Sequence, residues 1–406
     1  MPIHFVFSLN VFNTASNFGN RVLLALFALQ LDASPAQIGV LGAMFAVFPS
    51  LLAVAAGRMA DRYGSRYLLM LGTAGTGAGM LLPYFFPSLT AIMIAALMCG
   101  FSQVFFNVST QNLTGLLSTP DNRARNFSNY ALTNSLGQFM GPLMGGFAIG
   151  HFTNTTASFL MGMFAFIPLL MLAFRRTPLE AGIVKIVNKK KDDKSGKGAS
   201  NDGADKAAPV PGGAWAMLKD PNVRRTLYTG SLLNAGLNLY QFYMPVYAVS
   251  VGMSASLIGI IMAAHSAAAF VVRVVLPSLI KRLNEDRVLI MSFSVGAVSL
   301  MLMPVFSNAW MLGFLSFVFG LGMGAGQPIV TMQMFMNSAE GRSGEGIGLK
   351  MTTNQITKII SPLAFGAIAS AFGLLAMFWM NAVLMGTGGY LARVRGKPRK
   401  SDSGAS

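Results

Sequence analysis

The sequence predicts an all-α membrane protein with twelve transmembrane helices in two six-helix bundles. Three observations predict it: an apolar composition poor in charge, apolar segments of membrane-spanning length along most of the chain, and an internal repeat. Of the 406 residues, 53% are hydrophobic and 11% are charged, whereas a soluble domain has about 25% charged residues. A soluble enzyme is therefore excluded, and the 31 Phe and 28 Met residues supply too much apolar surface for a disordered chain.

The chain divides into apolar segments joined by short connections. A transmembrane helix needs about 20 mostly apolar residues, and segments of that length recur from the first residues onward. Ser34-Pro35 marks the start of the second span, because serine caps a helix and proline suits its first position. The twelve predicted spans are 3–31, 36–57, 67–87, 89–118, 127–151, 156–174, 223–250, 255–280, 288–307, 309–338, 346–371 and 373–392.

One polar segment, 175–222, separates the spans into two sets of six. It is rich in Lys, Gly, Ser and Asp, a composition typical of a flexible tether. We therefore expect an N-terminal bundle over 1–174, this cytoplasmic linker, a C-terminal bundle over 223–393 and a cytoplasmic tail over 394–406.

The two sets of spans also match each other in sequence at a shift of 220 residues. The matched pairs are Thr133-Asn134 with Thr353-Asn354, Gly141-Pro142 with Ser361-Pro362, and Gly146 with Gly366. Their agreement on one shift indicates two related bundles, as in transporters built from parallel repeats.

The thirty Lys and Arg residues predict the orientation of the spans. Apart from Arg21, Arg273, Lys350 and Lys358, they lie in the connections after even-numbered spans and in the tail. By the positive-inside rule these connections and both termini face the cytoplasm. The net charge of +16 then follows from membrane topology and needs no nucleic acid. We expect a multi-pass protein of the cell inner membrane, surrounded by lipid.

The sequence offers no candidate for catalysis or for a resident metal or cofactor. The single cysteine, Cys99, excludes an internal disulfide and a cysteine-based zinc site, and the three histidines are scattered. There is no nucleophile–His–acid set and no phosphate-binding loop. We therefore expect no enzyme activity.

A charged motif connects the second and third spans. It reads Gly57-Arg-Met-Ala-Asp61-Arg62-Tyr-Gly64-Ser-Arg66. It resembles the G-x-x-x-D-R-x-G-R-R/K signature of the major facilitator superfamily, with a serine in place of one basic residue. The resemblance covers the whole chain except the tether and the tail. It implies the fold of that superfamily and secondary transport. Gly57 would permit close packing of helix ends, and Asp61 would interact with a helix dipole and nearby basic residues. With Arg123 of the next connection, these residues are the predicted conformational switch.

Span 5 carries small residues at four-residue spacing, followed by a proline. The residues are Gly137, Gly141, Pro142, Gly145 and Gly146. They resemble the span 5 motif of drug:proton antiporters in the same superfamily. Glycines at this spacing let helices approach closely, and proline bends a helix, so plain helix packing explains the pattern equally well.

Polar side chains recur on one face of four spans. In span 1, Asn10, Asn13, Asn17 and Arg21 follow one helix face. Similar stripes occur in spans 4, 7 and 10, and in the superfamily these four spans line the central cavity. The stripes form either interhelical hydrogen bonds or a hydrated path, and their coordination favours the path. The polar residues predicted to contact substrate are Asn17, Asn107, Gln111, Asn238, Gln241, Gln327 and Asn354.

Basic residues inside the spans predict the charge of the substrate. Arg21, Arg273 and Lys358 lie within spans, whereas no acidic residue lies well inside one. A buried cation costs about 2.5–3.5 kcal/mol, which an anionic substrate would offset. Arg273 and Lys358 resemble the substrate-binding Arg of span 8 and Lys of span 11 in bacterial oxalate:formate antiporters, and Arg273 also resembles that of monocarboxylate transporters. Arg21 is similar in position, within about a turn, to a substrate-binding Arg of organophosphate transporters.

Together these observations predict a monomeric secondary transporter that moves a small organic anion, most simply a carboxylate, by alternating access of its two halves. Coupling would be to protons, with His265 as the candidate protonation site, or to exchange against a second anion. The leading alternative is a proton-driven exporter of drugs or metabolites. A further alternative is a membrane receptor or assembly factor, which would bind a partner without any flux.

Overall fold

The computed structural model describes residues 3–119, 122–174, 217–338 and 343–393. Within these ranges the chain forms α-helices and one 3-10 turn, and no β-strand occurs there. The predicted tail and all but the last residues of the predicted tether lie outside the described residues.

Each predicted span corresponds to helix in the structure. The helices are α1 (Ile3–Gln30), α2 (Pro35–Tyr63), α3 (Ser65–Phe85), α4 (Leu89–Leu116), α5 (Arg123–His151), α6 (Asn154–Phe174), α7 (Pro221–Ser250), α8 (Ala255–Leu283), α9 (Glu285–Leu302), the 3-10 turn (Met303–Val305), α10 (Ala309–Asn337) and α11 (Ser343–Arg393). The largest difference is at α2, which continues beyond its apolar segment through the charged motif to Tyr63.

The long helix α11 contains the last two predicted spans. At Gly373 its backbone has φ 86° and ψ 166°, a conformation that glycine adopts because it has no Cβ. The helix is therefore kinked at Gly373 and divides into two arms, and the described residues hold twelve spans in total.

In the part of the chain that the structure describes, eight stretches of helix are long and apolar enough to cross a membrane, the two arms of α11 being counted together. The helices α1, α5 and α7 are not among them, because Asn, Thr, Ser and Arg residues interrupt their apolar sequences. Most of α1 is nevertheless buried, so its polar side chains face protein or the space between the halves rather than lipid.

The predicted start of the second span is visible in the hydrogen bonds at the N-terminus of α2. Ser34 Oγ accepts a hydrogen bond from Gln37 N, and Gln37 Oε1 accepts one from Ser34 N at 2.8 Å. This reciprocal pair is a capping box, which satisfies two backbone donors at the start of α2. The predicted helix start at Ser34-Pro35 is therefore confirmed.

The internal repeat is visible in the backbone. Asp32 (φ 58°) and Gly252 (φ 81°) lie in equivalent connections, as do Gly64 (φ 82°) and Asn284 (φ 66°). Both pairs are related by the 220-residue shift. Left-handed residues at equivalent positions show that the two halves turn their chains in the same way at these connections.

The repeat is also visible in hydrogen bonds between helices. Thr14 Oγ1 donates to Asn134 Oδ1 at 3.1 Å, and Asn234 Nδ2 donates to Asn354 Oδ1 at 2.7 Å. The shift of 220 residues carries the first pair onto the second. Equivalent bonds thus join α1 to α5 in one half and α7 to α11 in the other.

We expect these two hydrogen bonds to make similar contributions to stability, because they have the same environment in each half. A double-mutant cycle with Asn234→Ala and Asn354→Ala should give a coupling energy of about 0.6 kcal/mol, the average for such bonds in membrane proteins. Unfolding in detergent would measure it. The Thr14→Ala and Asn134→Ala cycle is the matched comparison, and coupling in only one of the two pairs would contradict their equivalence.

The two halves meet at one end of the bundle and separate at the other. We call the end that carries the α2–α3 and α8–α9 connections the basic end, and the other the opposite end. Four hydrogen bonds join the halves within the described residues, all of them at mid-depth or at the opposite end: Ala36 to Ser370, Tyr243 to Pro35, Arg21 to Gln241 and Arg273 to Ser135. The space between the halves therefore opens at the basic end.

Glycine and proline make the close contacts at the opposite end. A Cβ on Gly146 of α5 would lie 2.6 Å from Ala255 O of α8. On Gly366, the equivalent residue of α11, it would lie 2.9 Å from Pro35 O of α2. Real Cβ contacts are longer than about 3 Å, so neither position has room for a side chain. The remaining span 5 glycines, Gly137, Gly141 and Gly145, lie against α1.

The packing predicted for Gly57 is not present in this conformation. No described atom lies within 4 Å of a Cβ built at this position. The helix ends that would pack against Gly57 belong to the basic end, which is open here.

Candidate functional site

The candidate site lies at mid-depth between the halves, where α1 meets α7. Arg21 Nη1 of α1 donates a hydrogen bond to Gln241 Oε1 of α7 at 3.1 Å. The two residues are related by the 220-residue shift. Equivalent residues that touch each other must lie close to the pseudo-twofold axis, so this hydrogen bond lies at the centre of the transporter-like fold.

The guanidinium of Arg21 presents one free edge. Its carbon lies 5.2 Å from the ring centre of Phe18 and 5.3 Å from that of Phe45, distances typical of cation–π contacts. Gln241 occupies Nη1, while buried Nε has no hydrogen-bond partner among the described residues. The Nε–Nη2 edge is one of the faces on which arginine binds two oxygens of a carboxylate or phosphate.

Lys358 faces the same space from the other half. It stands near the middle of the first arm of α11 and is exposed. A lysine at that depth faces either lipid or an interior space. Asn354 and Ser361 share a helix face with Lys358 and both bond to α7, which places Lys358 on the interior side. The site therefore combines one cation from each half of the molecule.

Arg273 occupies the interface between the halves. Its Nη1 donates a hydrogen bond to Ser135 Oγ at 2.6 Å, and Ser135 is buried in α5. The structure thus brings Arg273 of α8 against the opposite half. Like Arg21, it makes one hydrogen bond through Nη1 among the described residues.

His265 lies inside the C-terminal half. Its ring centre is 4.6 Å from that of Tyr240 and 5.4 Å from that of Phe319. The side chain is buried, and its Nδ1 has no hydrogen-bond partner among the described residues. Two aromatic rings thus pack against the imidazole, which is buried within the C-terminal half.

The polar stripes divide between two roles. Gln103 Oε1 accepts hydrogen bonds from Asn13 and Asn17, and Gln103 Nε2 donates to Asn107 Oδ1. This network joins α1 to α4. In the other half, Asn238 Nδ2 donates to Ser361 Oγ at 2.9 Å, and Asn354 accepts the bond from Asn234 described above. Interhelical hydrogen bonding thus accounts for much of each stripe.

Some predicted amide groups keep donors or acceptors available. Gln111 is exposed on α4, toward the basic end. Gln327 Nε2 on α10 is buried without a hydrogen-bond partner among the described residues. An unpaired buried amide donor is costly, so a water molecule or a substrate oxygen would stabilise it.

The predicted conformational switch lies at the open basic end, apart from the central site. The guanidinium of Arg62 stacks on the ring of Tyr63, with 5.3 Å between them, and Arg66 Nη2 donates to Leu172 O at 3.3 Å. The side chains of Asp61 and Arg123 lie outside the described part of the structure. No latch between the halves is formed here in the described residues.

Three contact residues of this region were missed by sequence reasoning. They are Phe45, which covers Arg21, Gln103, which joins α1 to α4, and Ser135, which binds Arg273. Gln103 belongs to the polar stripe of span 4, so the sequence did carry a signal for this residue. Nothing in the sequence distinguished Phe45 from the other phenylalanines, since the contact depends on how α2 faces α1.

Comparisons with known proteins agree with this architecture. The family profile described as Major Facilitator Superfamily matches residues 6–334 and 250–406. The multidrug resistance protein MdtG of Salmonella paratyphi C is 23% identical over 338 residues, covering 80% of this chain and 77% of that protein. An uncharacterized MFS-type transporter of Methanocaldococcus jannaschii, MJ1560, is 20% identical over 96% of this chain and 97% of its own.

Two kinds of solved structure share the fold. The nucleoside transporter NupG superposes with a TM-score of 0.73 at 13% identity, over 97% of this chain and 100% of that one. A POT family transporter in complex with a thioalcohol-conjugated peptide superposes with a TM-score of 0.76 at 12% identity, over 96% and 94%. At such identities the similarity establishes the arrangement of helices alone.

Proposed function

Because the chain belongs to the Major Facilitator Superfamily and is a multi-pass membrane transporter, we propose that it moves a small organic anion through the space between its halves. The observation that carries this proposal is the pair Arg21 and Lys358. They come from opposite halves and face the same space, and the positive charge of Arg21 acts on Lys358. A carboxylate is the simplest cargo, since it matches the free guanidinium edge of Arg21.

The surrounding charges support an anion. In the described helices, acidic residues occur only in terminal turns at the basic end, as with Asp61, Glu285 and Asp286. No carboxylate of the described spans is therefore available to neutralise Arg21 and Lys358. Unpaired charge away from water is costly, and an anion bound between the two cations would offset that cost. A cationic substrate would be repelled by both.

Alternating access follows from the contacts between the halves. The glycine contacts at the opposite end close that side, and the basic end is open. We assign the basic end to the cytoplasm, since Lys and Arg concentrate there, and the membrane to the cell inner membrane. Rocking of the two halves about the central site would break the glycine contacts and bring Gly57 against its neighbours.

A second candidate function is export of drugs or metabolites. Two observations favour it. The first is the similarity to multidrug resistance proteins. The second is the tight packing of the span 5 glycines, whose motif resembles that of drug:proton antiporters. The two candidates differ in the charge of the cargo. They agree on the fold, on alternating access and on the central position of the site.

We expect reconstituted protein to exchange labelled carboxylates and not a neutral amide or a cationic dye of similar size. Lys358→Gln should reduce anion exchange by about tenfold or more, since a charge-assisted contact contributes about 1.5–3 kcal/mol. Proteoliposome counterflow measures the rate. Arg393→Gln, at an exposed helix end, is the matched loss of one positive charge and should exchange anions normally. Extrusion of the cationic dye without anion exchange would instead establish the exporter.

A further inference from the structure

We propose that Lys358 is the proton-coupling residue of this transporter: it binds the anion as an ammonium group and returns through the membrane as a neutral amine. The inference rests on the proposed function, since it takes the anion to bind beside Lys358. It assigns the coupling ion and the atom that carries it. It differs from the sequence-based expectation, in which His265 was the candidate protonation site.

A coupling group must be able to lose a proton, reach water in the open state and touch the cargo. Arginine does not lose its proton in proteins, which removes Arg21 and Arg273. The acidic residues of the described helices lie in terminal turns at the basic end. They are far from a site at mid-depth. This leaves histidine, lysine, cysteine and tyrosine groups within the described spans.

Most of those groups are buried or already occupied. His265 is enclosed by Tyr240 and Phe319. Lys350 is buried and its Nζ donates to Thr331 Oγ1 at 2.8 Å. Cys99 is a buried free thiol. The hydroxyls of the three buried tyrosines of α7 donate to backbone oxygens of Ile261, of Pro35 and Pro362, and of Phe306. Among the lysines and histidines of the described helices that lie away from the helix ends, Lys358 alone is exposed.

The charges around Lys358 make its proton dependent on the cargo. Arg21 and Lys350 both repel its positive charge. The helix α10 contains no Asp, Glu, Lys, Arg or His. The charged groups of the other helices packed on α11 stand toward the basic end: Arg58, Asp61, Arg62, Arg224, Arg225, Glu285, Asp286 and Arg287. A bound anion compensates the repulsion at Lys358, and release of the anion restores it.

The proton step balances as follows. When the anion leaves, Lys358 Nζ gives one proton to water in the open space and becomes an uncharged amine. The empty transporter turns over, and the amine takes one proton from water on the other side before it binds the next anion. One proton therefore travels with each anion. For a monoanion the transported pair carries no net charge, so a pH difference should drive accumulation and a membrane potential alone should not.

The test compares Lys358→Arg with two controls, using full-length protein in liposomes and a labelled monocarboxylate. Counterflow at equal pH on both sides reports anion binding and turnover. Accumulation driven by an imposed pH difference reports coupling. Arginine keeps the charge but holds its proton, so Lys358→Arg should retain counterflow within about threefold and lose pH-driven accumulation. Lys350→Arg and His265→Asn should retain both.

The outcomes separate the two levels of the proposal. No counterflow by wild-type protein would overturn the proposed function itself. Normal counterflow with pH-driven accumulation in Lys358→Arg would overturn only the coupling assignment, as would loss of accumulation in His265→Asn with counterflow retained. If Lys358→Arg does not exchange anions at all, proton movement is measured instead, with a pH-sensitive dye trapped in liposomes that contain wild type or His265→Asn. One proton moved per anion in both proteins would support Lys358 as the coupling residue, and no proton movement would overturn that assignment.

Discussion

Arg21→Gln is expected to reduce carboxylate transport by about 30-fold or more. The substitution removes the guanidinium whose Nε has no hydrogen-bond partner among the described residues and leaves a bound carboxylate facing an uncharged amide. Truncating one partner of a desolvated charge pair costs about 2–5 kcal/mol, and each 1.4 kcal/mol is about tenfold. Counterflow in proteoliposomes over a range of substrate concentrations measures the change.

Arg21→Lys separates charge from geometry. Lysine keeps the positive charge but loses the planar fork and the contacts with Phe18 and Phe45. We expect about a tenfold rise in KM for a carboxylate, smaller than the loss in Arg21→Gln. Arg393→Gln, at an exposed helix end, is the control for charge removal. Equal transport by wild type and Arg21→Gln would exclude Arg21 from the site.

Gly146→Val is expected to displace the protein from the conformation that is closed at the opposite end. A Cβ at this position would lie 2.6 Å from Ala255 O and 2.7 Å from Gly259 Cα. Backbone atoms cannot move aside as a flexible side chain can, so the halves must separate there. Overpacking of this kind typically costs about 1–3 kcal/mol, enough to change the ratio of the two conformations by about fivefold or more.

An introduced cysteine would report that change. Ala36 of α2 is only partly exposed, and its Cα lies 3.1 Å from a Cβ built on Gly366 of α11 across the closed end. Because the native Cys99 is buried, Ala36→Cys gives labelling on a low background. Gly146→Val should raise its reaction with a membrane-impermeant thiol reagent and lower transport. Gly313→Val is the matched control, because no described atom lies within 4 Å of a Cβ there. Unchanged labelling in Gly146→Val would show that this contact does not hold the end closed.

The helices and the repeat were predictable because they depend on properties of single segments. An apolar stretch of about 20 residues is read directly from the chain, and a shift of 220 residues relates Gly64 to Asn284 before any backbone angle is known. The helix start at Ser34 followed from the capping preference of serine. The helices α1, α5 and α7 were less evident from hydropathy. Polar residues that face the interior lower their apolar content.

The contacts of the site were not predictable to the same degree. The 220-residue repeat relates Arg21 to Gln241, which in the sequence is only a difference between the halves. The structure shows instead that the two side chains bond each other. Similarly, Arg273 and Arg21 both appear in the sequence as basic residues within spans. Only packing shows that Arg273 bonds to Ser135 of α5, while Arg21 bonds to Gln241 of α7.

The helical membrane protein, its two equivalent halves, the basic connections on one side and the cations within the spans follow from composition and spacing along one chain. The superfamily followed from the resemblance of the charged motif. The fold was needed to show that Arg21 bonds to Gln241, that aromatic rings pack against His265 and which end is closed. The physical reason is that hydrogen bonds, ring contacts and close glycine approaches depend on the rotation and crossing of helices far apart in sequence, and these are set by packing between the halves.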